Sequence, residues 1–537
     1  MRSHTDVVRW SLIGILTLAV TLVYGWALSG YFLGDDLSFL YYVAEWARQN
    51  RLGPELLGEF ASTMLNSAGF FFRPLYIASF AGDYLMWGTN AAGWHLTNLL
   101  LHLANALLLW RLVERLLARP GSRTAMLAGA AAAILFALRP TGPEVVIWLS
   151  GRTDSLALFG LLIGLLAYLR ADGRWGNWYL LALGGFLLAL GGKEAGVTLP
   201  GGLVALHLVG AISVRRRPGE SRWLAWARGA FLGVGPFALL LLVYLGWRQF
   251  LFGSPFTVYL GVPPIRLDDP DWRARKLWAL IFFLMPGLRI TALPLFAGLV
   301  TGAQGLVGLL VARRSAVARR VWVFGVLWLM ATLLPLAQQI NIEASGLNAR
   351  LLYIPAAPLA ILLAVPFAAL VPPERRRRTQ ADSLALAGAL GTVILTLVWI
   401  PLLLRLLDPW VEAGRSMRAL PDAISARAAA VPEGGFAILL IPDNVRGVHF
   451  ARNGQGALMS PPVQGRVLAT RVLVLTPPPF GELTPEMGAF LLPAPAREHW
   501  CWNATAREFE PLAFPEQAKD VWRDAMREAG CTLAAAQ

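Results

Sequence analysis

Apolar runs of membrane-spanning length recur from residue 10 to about residue 404 of this chain, and few architectures can accommodate them. A hydrocarbon layer offers backbone N–H and C=O groups no partner, so each run must close its own hydrogen bonds as a helix. About twenty apolar residues are needed for each crossing. On that basis we count about eleven helices, near 10–30, 94–117, 124–138, 154–170, 178–192, 196–213, 229–250, 291–312, 321–339, 352–371 and 384–404. The expected fold class is an all-α polytopic membrane protein with a small C-terminal α/β domain outside the cytoplasm. With 56% hydrophobic and 15% charged residues, the chain is not a soluble enzyme.

The formal charge of +14 is almost all arginine, since the only lysines are Lys193, Lys276 and Lys519. These arginines sit in short loops between apolar runs, the pattern of topology signals and not of a nucleic-acid surface. If Arg2 and Arg9 start inside, the count puts Arg119/Arg123, Arg170/Arg174, Arg215 to Arg217, Arg313/Arg314/Arg319/Arg320 and Arg375 to Arg378 on the cytoplasmic side. The run Trp10 to Leu33 is read as an uncleaved signal anchor. Trp10, Trp26, Trp94, Trp175, Trp178 and Trp247 fall near span ends, where an interfacial aromatic belt accounts for them.

Four segments then face outward: 31–93, 139–153, 251–290 and 340–351. The first carries two expected membrane-surface helices, Leu37–Asn50 and Leu75–Trp87. The third holds Arg266, Arg273, Arg275, Lys276 and Arg289 against the positive-inside trend, either to bind lipid phosphates or an acidic acceptor or as a solvated face. We divide the chain into a transmembrane domain, 1–404, and an extracytoplasmic domain, 405–537. The second is read as Pro-rich loops with strand-like runs FAILLIP (436–442), RVLVLTP (471–477) and GAFLLP (488–493), then a helix within Pro515–Ala529. It contains both cysteines, Cys501 and Cys531, which are either a disulfide, favoured in an oxidising compartment, or two buried thiols.

Motifs of soluble enzymes are absent: no GxGxxG turn, Walker loop, HExxH, GxSxG or Cys/His metal spacing. Chemistry must come from the outward loops. Asp35 and Asp36, in YFLGDDLSFLYY, stand where the first apolar run leaves the membrane. One acid can cap the following helix, while the other, partly desolvated beside a like charge, is basic enough to take a proton from a hydroxyl. Arg73-Pro74-Leu75-Tyr76 opens the second surface helix, and Arg73 is either an anion ligand at a helix start or an interfacial arginine reaching for headgroups. RPTGPEVVIWLSGRTD gathers Arg139, Glu144, Arg152 and Asp154 in a short loop with membrane on both sides, so they must pair or bind something. Lys193-Glu194 at the next outward turn reads as an ion pair, and INIEASGLNARLLYIP ends on Arg350 and Tyr353. On the second span His95, Asn98, His102 and Asn105 form one polar stripe, read as interhelical hydrogen bonding and not as a metal site.

In order, these segments resemble the GT-C superfamily of membrane glycosyltransferases, most closely its protein O-mannosyltransferase and aminoarabinose-transferase branch and the animal transmembrane O-mannosyltransferases with tetratricopeptide repeats. The resemblance covers about residues 10 to 370. It rests on Gly34-Asp35-Asp36, Arg73-Pro74-Leu75-Tyr76, GWHLTNLLLHLANALLLW (93–110), RPTGPEVVIWLSGRTDSLA (139–157), GGKEAGVTLP (191–200) and NARLLYIP (348–355). It implies a polyprenyl-phosphate sugar donor and an acceptor hydroxyl on a protein, lipid or cell-wall glycan. It also implies Asp35 as catalytic base, and Asp36 is expected to orient either that base or the acceptor. Arg73 and Arg350 are expected to hold the donor phosphate, with Arg152 and Lys193 as further ligands and Glu144, Asp154 and Tyr353 as auxiliaries. No cofactor is expected; a divalent metal at Asp35/Asp36 is the alternative not favoured. This chain lacks the tetratricopeptide repeats. A transporter or lipid flippase is the competing class, but such proteins keep ionisable groups near the bilayer midplane. The excess of Arg over Lys fits a bacterial cytoplasmic membrane.

Overall fold

The computed structural model describes residues 4–66, 71–117, 123–214, 216–256, 269–286, 293–336, 342, 347–370, 378–476 and 497–511. Each of the eleven expected spans coincides with a helix. The chain opens with α1 (His4–Tyr24), extended by a 3-10 turn to Ser29. Three helices follow outside the bundle, α2 (Asp35–Arg48), α3 (Leu52–Gly58) and α4 (Pro74–Trp87). The bundle then runs through α5 (Ala91–Leu116), α6 (Arg123–Ala137), the short α7 (Pro143–Val146), α8 (Arg152–Ala171), α9 (Asn177–Gly192) and α10 (Leu199–Leu208). It continues with α11 (Arg222–Phe252), α12 (Pro270–Leu284), α13 (Leu293–Arg314), α14 (Ala316–Leu333), α15 (Tyr353–Ala364) and α16 (Arg378–Ala430). Among the described residues eight helices are long and apolar enough to cross a membrane, while α6 and α9 are shorter apolar helices and α10 has ten residues.

Packing follows residue size. Where α8 and α9 cross, a Cβ on Gly160 would lie 2.5 Å from the Ala189 nitrogen, and one on Gly185 would lie 2.7 Å from the Gly164 nitrogen. Only glycine permits that approach, and close backbone contact replaces the hydrophobic drive that helices lack in lipid. The polar stripe on α5 binds helices together: Asn98 donates to the Trp148 carbonyl and Asn105 to the Ser155 carbonyl, while the His102 ring meets the Tyr353 hydroxyl at 2.7 Å and the Ala137 carbonyl at 3.1 Å. Leu22 and Trp26 on the first helix stay exposed, as do Phe231 and Leu242 on α11, giving an apolar outer face.

Two expectations are corrected. The loop 251–290 contains a helix, α12, whose start is fixed by Asp269 accepting from the Asp271 and Trp272 nitrogens and by Pro270 in its first turn. Beyond Leu404 there are no Pro-rich loops at first; α16 continues to Ala430 and is about 80 Å long at 1.5 Å per residue. Leu406, Trp410, Ala413, Met417, Leu420, Ile424 and Ala428, spaced by three and four, form one buried stripe that holds this part helical. A small mixed sheet follows, in the order β4 (Val472–Leu475), β1 (Phe436–Leu440), β5 (Arg497–Asn503), β6 (Glu508–Pro511), with a separate hairpin of β2 (Asn444–Val445) and β3 (Val448–His449). β1 pairs parallel with both neighbours and is buried on both faces, which is why FAILL is an unbroken apolar run. Trp502 Nε1 donates to Ser416 Oγ at 3.0 Å and anchors the sheet to α16. Cys501 is disulfide-bonded; Cys531, the GAFLLP run, the helix expected within Pro515–Ala529, Arg119, Arg266, Arg289 and Arg375 to Arg377 lie outside the described residues.

Candidate active site

The acidic pair sits at the first turn of α2, behind Gly34 at φ +54°. A side chain is strained in that backbone region. Space is tight as well, since a Cβ would lie 3.3 Å from the Arg452 carbonyl, which would have to give by a few tenths of an ångström. The two acids then diverge by about 100°, one residue step of a helix. Asp36 turns inward and is fully buried. Its Oδ2 accepts from the Leu33 nitrogen at 3.0 Å, and its Oδ1 accepts from the Ser150 nitrogen at 2.7 Å and from Ser150 Oγ. It therefore ties the start of α2 to the loop before α8. Burial lifts its carboxyl to about 7, against the hydrogen bonds from Ser150 and Leu33 that hold it down.

Asp35 is only half-buried. Its Oδ1 accepts from Asn453 Nδ2 at 2.7 Å. Burial raises its pKa, while the Asn453 bond and the Arg350 and Arg452 charges lower it. Neither acid caps α2 forwards, the reading open for one of them; Asp36 instead reaches back to Leu33. Tyr76, in the first turn of α4, is buried near Ser150 and both acids.

Four basic residues were expected to bind phosphate, and their surroundings differ. Arg350 lies on the Trp148 ring at 4.7 Å from its centroid. Its guanidinium is 3.5 Å from Glu144, and Glu144 also accepts from the Arg350 backbone nitrogen at 3.0 Å. Burial raises the Glu144 carboxyl and Arg350 opposes it. Arg73, the residue immediately before α4, binds Glu194 with Nη2 at 2.7 Å and Nε at 3.1 Å, and Arg248 of α11 approaches the same carboxylate at 3.8 Å. Although burial works to raise Glu194, Arg73 and Arg248 keep it below the usual range.

Arg152 and Lys193 are enclosed. Arg152 is 1% exposed and bonds Asp83, Asn98 Oδ1 at 2.5 Å and the Trp94 carbonyl at 3.2 Å. Lys193 Nζ lies 2.6 Å from Asp154 Oδ2. The expected Lys193–Glu194 pair is not formed, because Lys193 is extended (φ −162°, ψ 152°) and successive side chains there point apart. Tyr353 is the first residue of α15, at the mouth of that span, and is buried against His102 and Asn105 of α5.

Residues that sequence reasoning passed over complete the site. Trp148 donates from Nε1 to the Leu33 carbonyl at 3.1 Å, stacks on Trp410 of α16 and meets the His449 ring at 4.9 Å. Asp83 and Arg248 neutralise or share groups from distant loops. Their signal was faint: each is a single residue in an apolar helix or loop, with a partner 69 or 54 positions away for Asp83 and Arg248 respectively. Among the described residues no group of three His, Cys, Asp or Glu side chains is arranged to hold a metal ion.

No family model matches the chain. It is 34% identical to the protein O-mannosyl-transferase Tmtc3 of Drosophila melanogaster over 160 residues, 26% of this chain and 17% of that protein. It is 30% identical to the fly protein O-mannosyl-transferase Tmtc1 over 302 residues, 53% of this chain and 33% of the relative. Over 385 residues it is 24% identical to the protein O-mannosyl-transferase TMTC4 of Mus musculus, 61% of this chain and 52% of the relative. The chain thus spans between about a sixth and about half the length of these curated relatives. Among solved structures, ArnT of Cupriavidus metallidurans bound to undecaprenyl phosphate aligns with TM-score 0.43 and 12% identity, covering 82% of this chain and 83% of that one. These relatives are protein O-mannosyl-transferases, the group that the sequence motifs resemble.

Proposed function

We propose that the chain is an integral-membrane glycosyltransferase. It moves a sugar, mannose or another hexose or pentose, from a polyprenyl-phosphate donor to an acceptor hydroxyl at the outer membrane face, with inversion. The observation that carries this reading is the division of labour in the acidic pair. Asp36 is spent on the fold, while Asp35 keeps Oδ2 without a hydrogen bond among the described residues and lies in the field of Arg350 and Arg452.

Oδ2 of Asp35 takes the proton of the acceptor hydroxyl, the hydroxyl oxygen attacks the anomeric carbon, and the bond from that carbon to the phosphate oxygen breaks. The electron pair leaves on polyprenyl phosphate. A phosphate is a good leaving group, so no general acid is needed; cations that meet its growing charge suffice. Arg350 is the nearer candidate, since its charge is felt at Asp35. Arg73 fits the same role together with Arg248, as the two share one carboxylate. Arg152 and Lys193 fit a supporting role, holding Asp83 and Asp154 and the loops that carry them. Glu144 orients Arg350. The acceptor, a protein, a lipid or a cell-wall glycan, meets Asp35 from the extracytoplasmic side of a bacterial cytoplasmic membrane in this reading.

The test offers a panel of radiolabelled polyprenyl-phosphate sugars to the purified protein, with membrane extract as acceptor. Transfer from at least one donor is expected. No release from any donor by folded protein contradicts the proposal.

A further inference from the structure

Among the described residues, the C-terminal domain reaches the acidic pair through one short segment, and the contacts are specific. β2 and β3 pair Asn444 with His449 and Val445 with Val448 around Arg446 and Gly447, both at positive φ, as a two-residue hairpin turn of this hand requires. Arg446 holds Asp408 of α16 at 2.7 Å, which fixes the hairpin to the long helix. The strand then leads onto the start of α2. The Gly34 nitrogen donates to the Phe450 carbonyl at 2.6 Å, and Ser38 Oγ donates to the Asn453 carbonyl. A Cβ on Gly454 would lie 2.8 Å from Leu37 Cδ1 and 3.0 Å from the Gly34 carbonyl, so the two backbones touch. Asn453 itself adopts φ +59°, a region Asn tolerates better than most residues, and this aims its side chain back at Asp35.

We propose that Asn453 is a positioning residue for Asp35, and that the segment from Asn444 to Gly454 is a wall of the reaction site and not an accessory of the tail. Its amide donates to Oδ1 of Asp35, which fixes the carboxylate and leaves Oδ2 as the oxygen that meets the acceptor hydroxyl. The inference rests on the reading of Asp35 as the base. The amide hydrogen bond also favours the ionised carboxylate, so losing it makes Asp35 harder to ionise. The other titratable and charged groups around Asp35 are Asp36, Tyr76, Arg350, Asp443, His449 and Arg452. All of them stay in place in the variants below.

The experiment measures transfer against pH, in the full-length protein, for wild type, Asn453→Ala, Asn453→Asp and Asp35→Asn. Asn453→Asp is nearly isosteric and tolerates the same backbone, so it preserves the fold while replacing the donor with a like charge. Both Asn453 variants are expected to lower kcat roughly tenfold at neutral pH, the scale of one hydrogen bond to a charged group. The donor KM stays within about twofold, because nothing of Asn453 is assigned to donor binding, and the acid limb of the profile moves to higher pH. The limb of Asn453→Asp moves at least as far as that of Asn453→Ala. If both variants keep the wild-type kcat and acid limb while Asp35→Asn is inactive, the role of Asn453 is refuted and the base assignment stands. If Asp35→Asn is itself fully active, the underlying reading fails.

Discussion

Asp35 and Asp36 are chemically identical neighbours, and a single helical step gives them opposite employment. Asp36 receives three donors from Leu33 and Ser150 in a site closed to solvent, and Asp35 is left half-buried with one donor, Asn453, and two arginine charges around it. The placement of the pair was legible from the sequence, because two carboxylates at the mouth of an apolar run are costly without a use. Which acid does what was not, since Ser150 is 114 positions away and Asn453 is 418. Asp36 also predicts a pH dependence. Its folded carboxyl titrates near 7, above its value of 3.8 in an unfolded chain, so the native state binds this proton more tightly. Its contribution is therefore fully present below about pH 4 and is lost as pH rises through about 7. Thermal unfolding in detergent is expected to show a smaller decline between those pH values in Asp36→Asn than in wild type. Equal slopes would contradict the burial argued for Asp36.

At the scale of elements, the loops around the site are held by ion pairs that connect helices distant in sequence. Arg152 at the head of α8 joins Asp83 of α4, Lys193 after α9 joins Asp154, and Arg73 before α4 joins Glu194. The sequence revealed that these charges must be satisfied but not by whom; its one specific pairing, Lys193 with Glu194, failed on local backbone geometry. Helices were legible wherever apolar length decided them. α12 and the distal half of α16 were missed although Asp269-Pro270 and the stripe from Leu406 to Ala428 were there to be read, because each is amphipathic and not uniformly apolar. Removing one partner of a buried pair strands the other, at a cost of about 3–5 kcal/mol, whereas removing both can be nearly neutral. Arg152→Leu is accordingly expected to lower the unfolding midpoint clearly, and Arg152→Leu with Asp83→Leu to recover a good part of the loss. A double variant no better than the single one would show that Arg152 serves Asn98 and the Trp94 carbonyl more than Asp83.

At the scale of the whole molecule, α16 carries the chain out of the bundle and brings the sheet domain back over α2, so a segment more than 400 residues from the acidic pair closes on it. The sequence marked the change of composition near residue 404 but not this return, which depends on tertiary contacts such as Gly34 to Phe450. The arrangement demands that the acids and the C-terminal domain share one side of the membrane, and the arginine rule puts Arg319, in the first turn of α14, on the other. Single cysteines replacing exposed Val467 and exposed Arg319 test this. An impermeant maleimide is expected to label Val467→Cys in intact cells and Arg319→Cys only after permeabilisation; the reverse pattern would invert the topology. The central claim is tested most directly by the turnover of Asp35→Asn with the donor that wild type uses, measured beside its donor affinity. Transfer reduced by on the order of a hundredfold or more, with donor binding retained, is the expected result for loss of a general base. Full transfer by Asp35→Asn would contradict it.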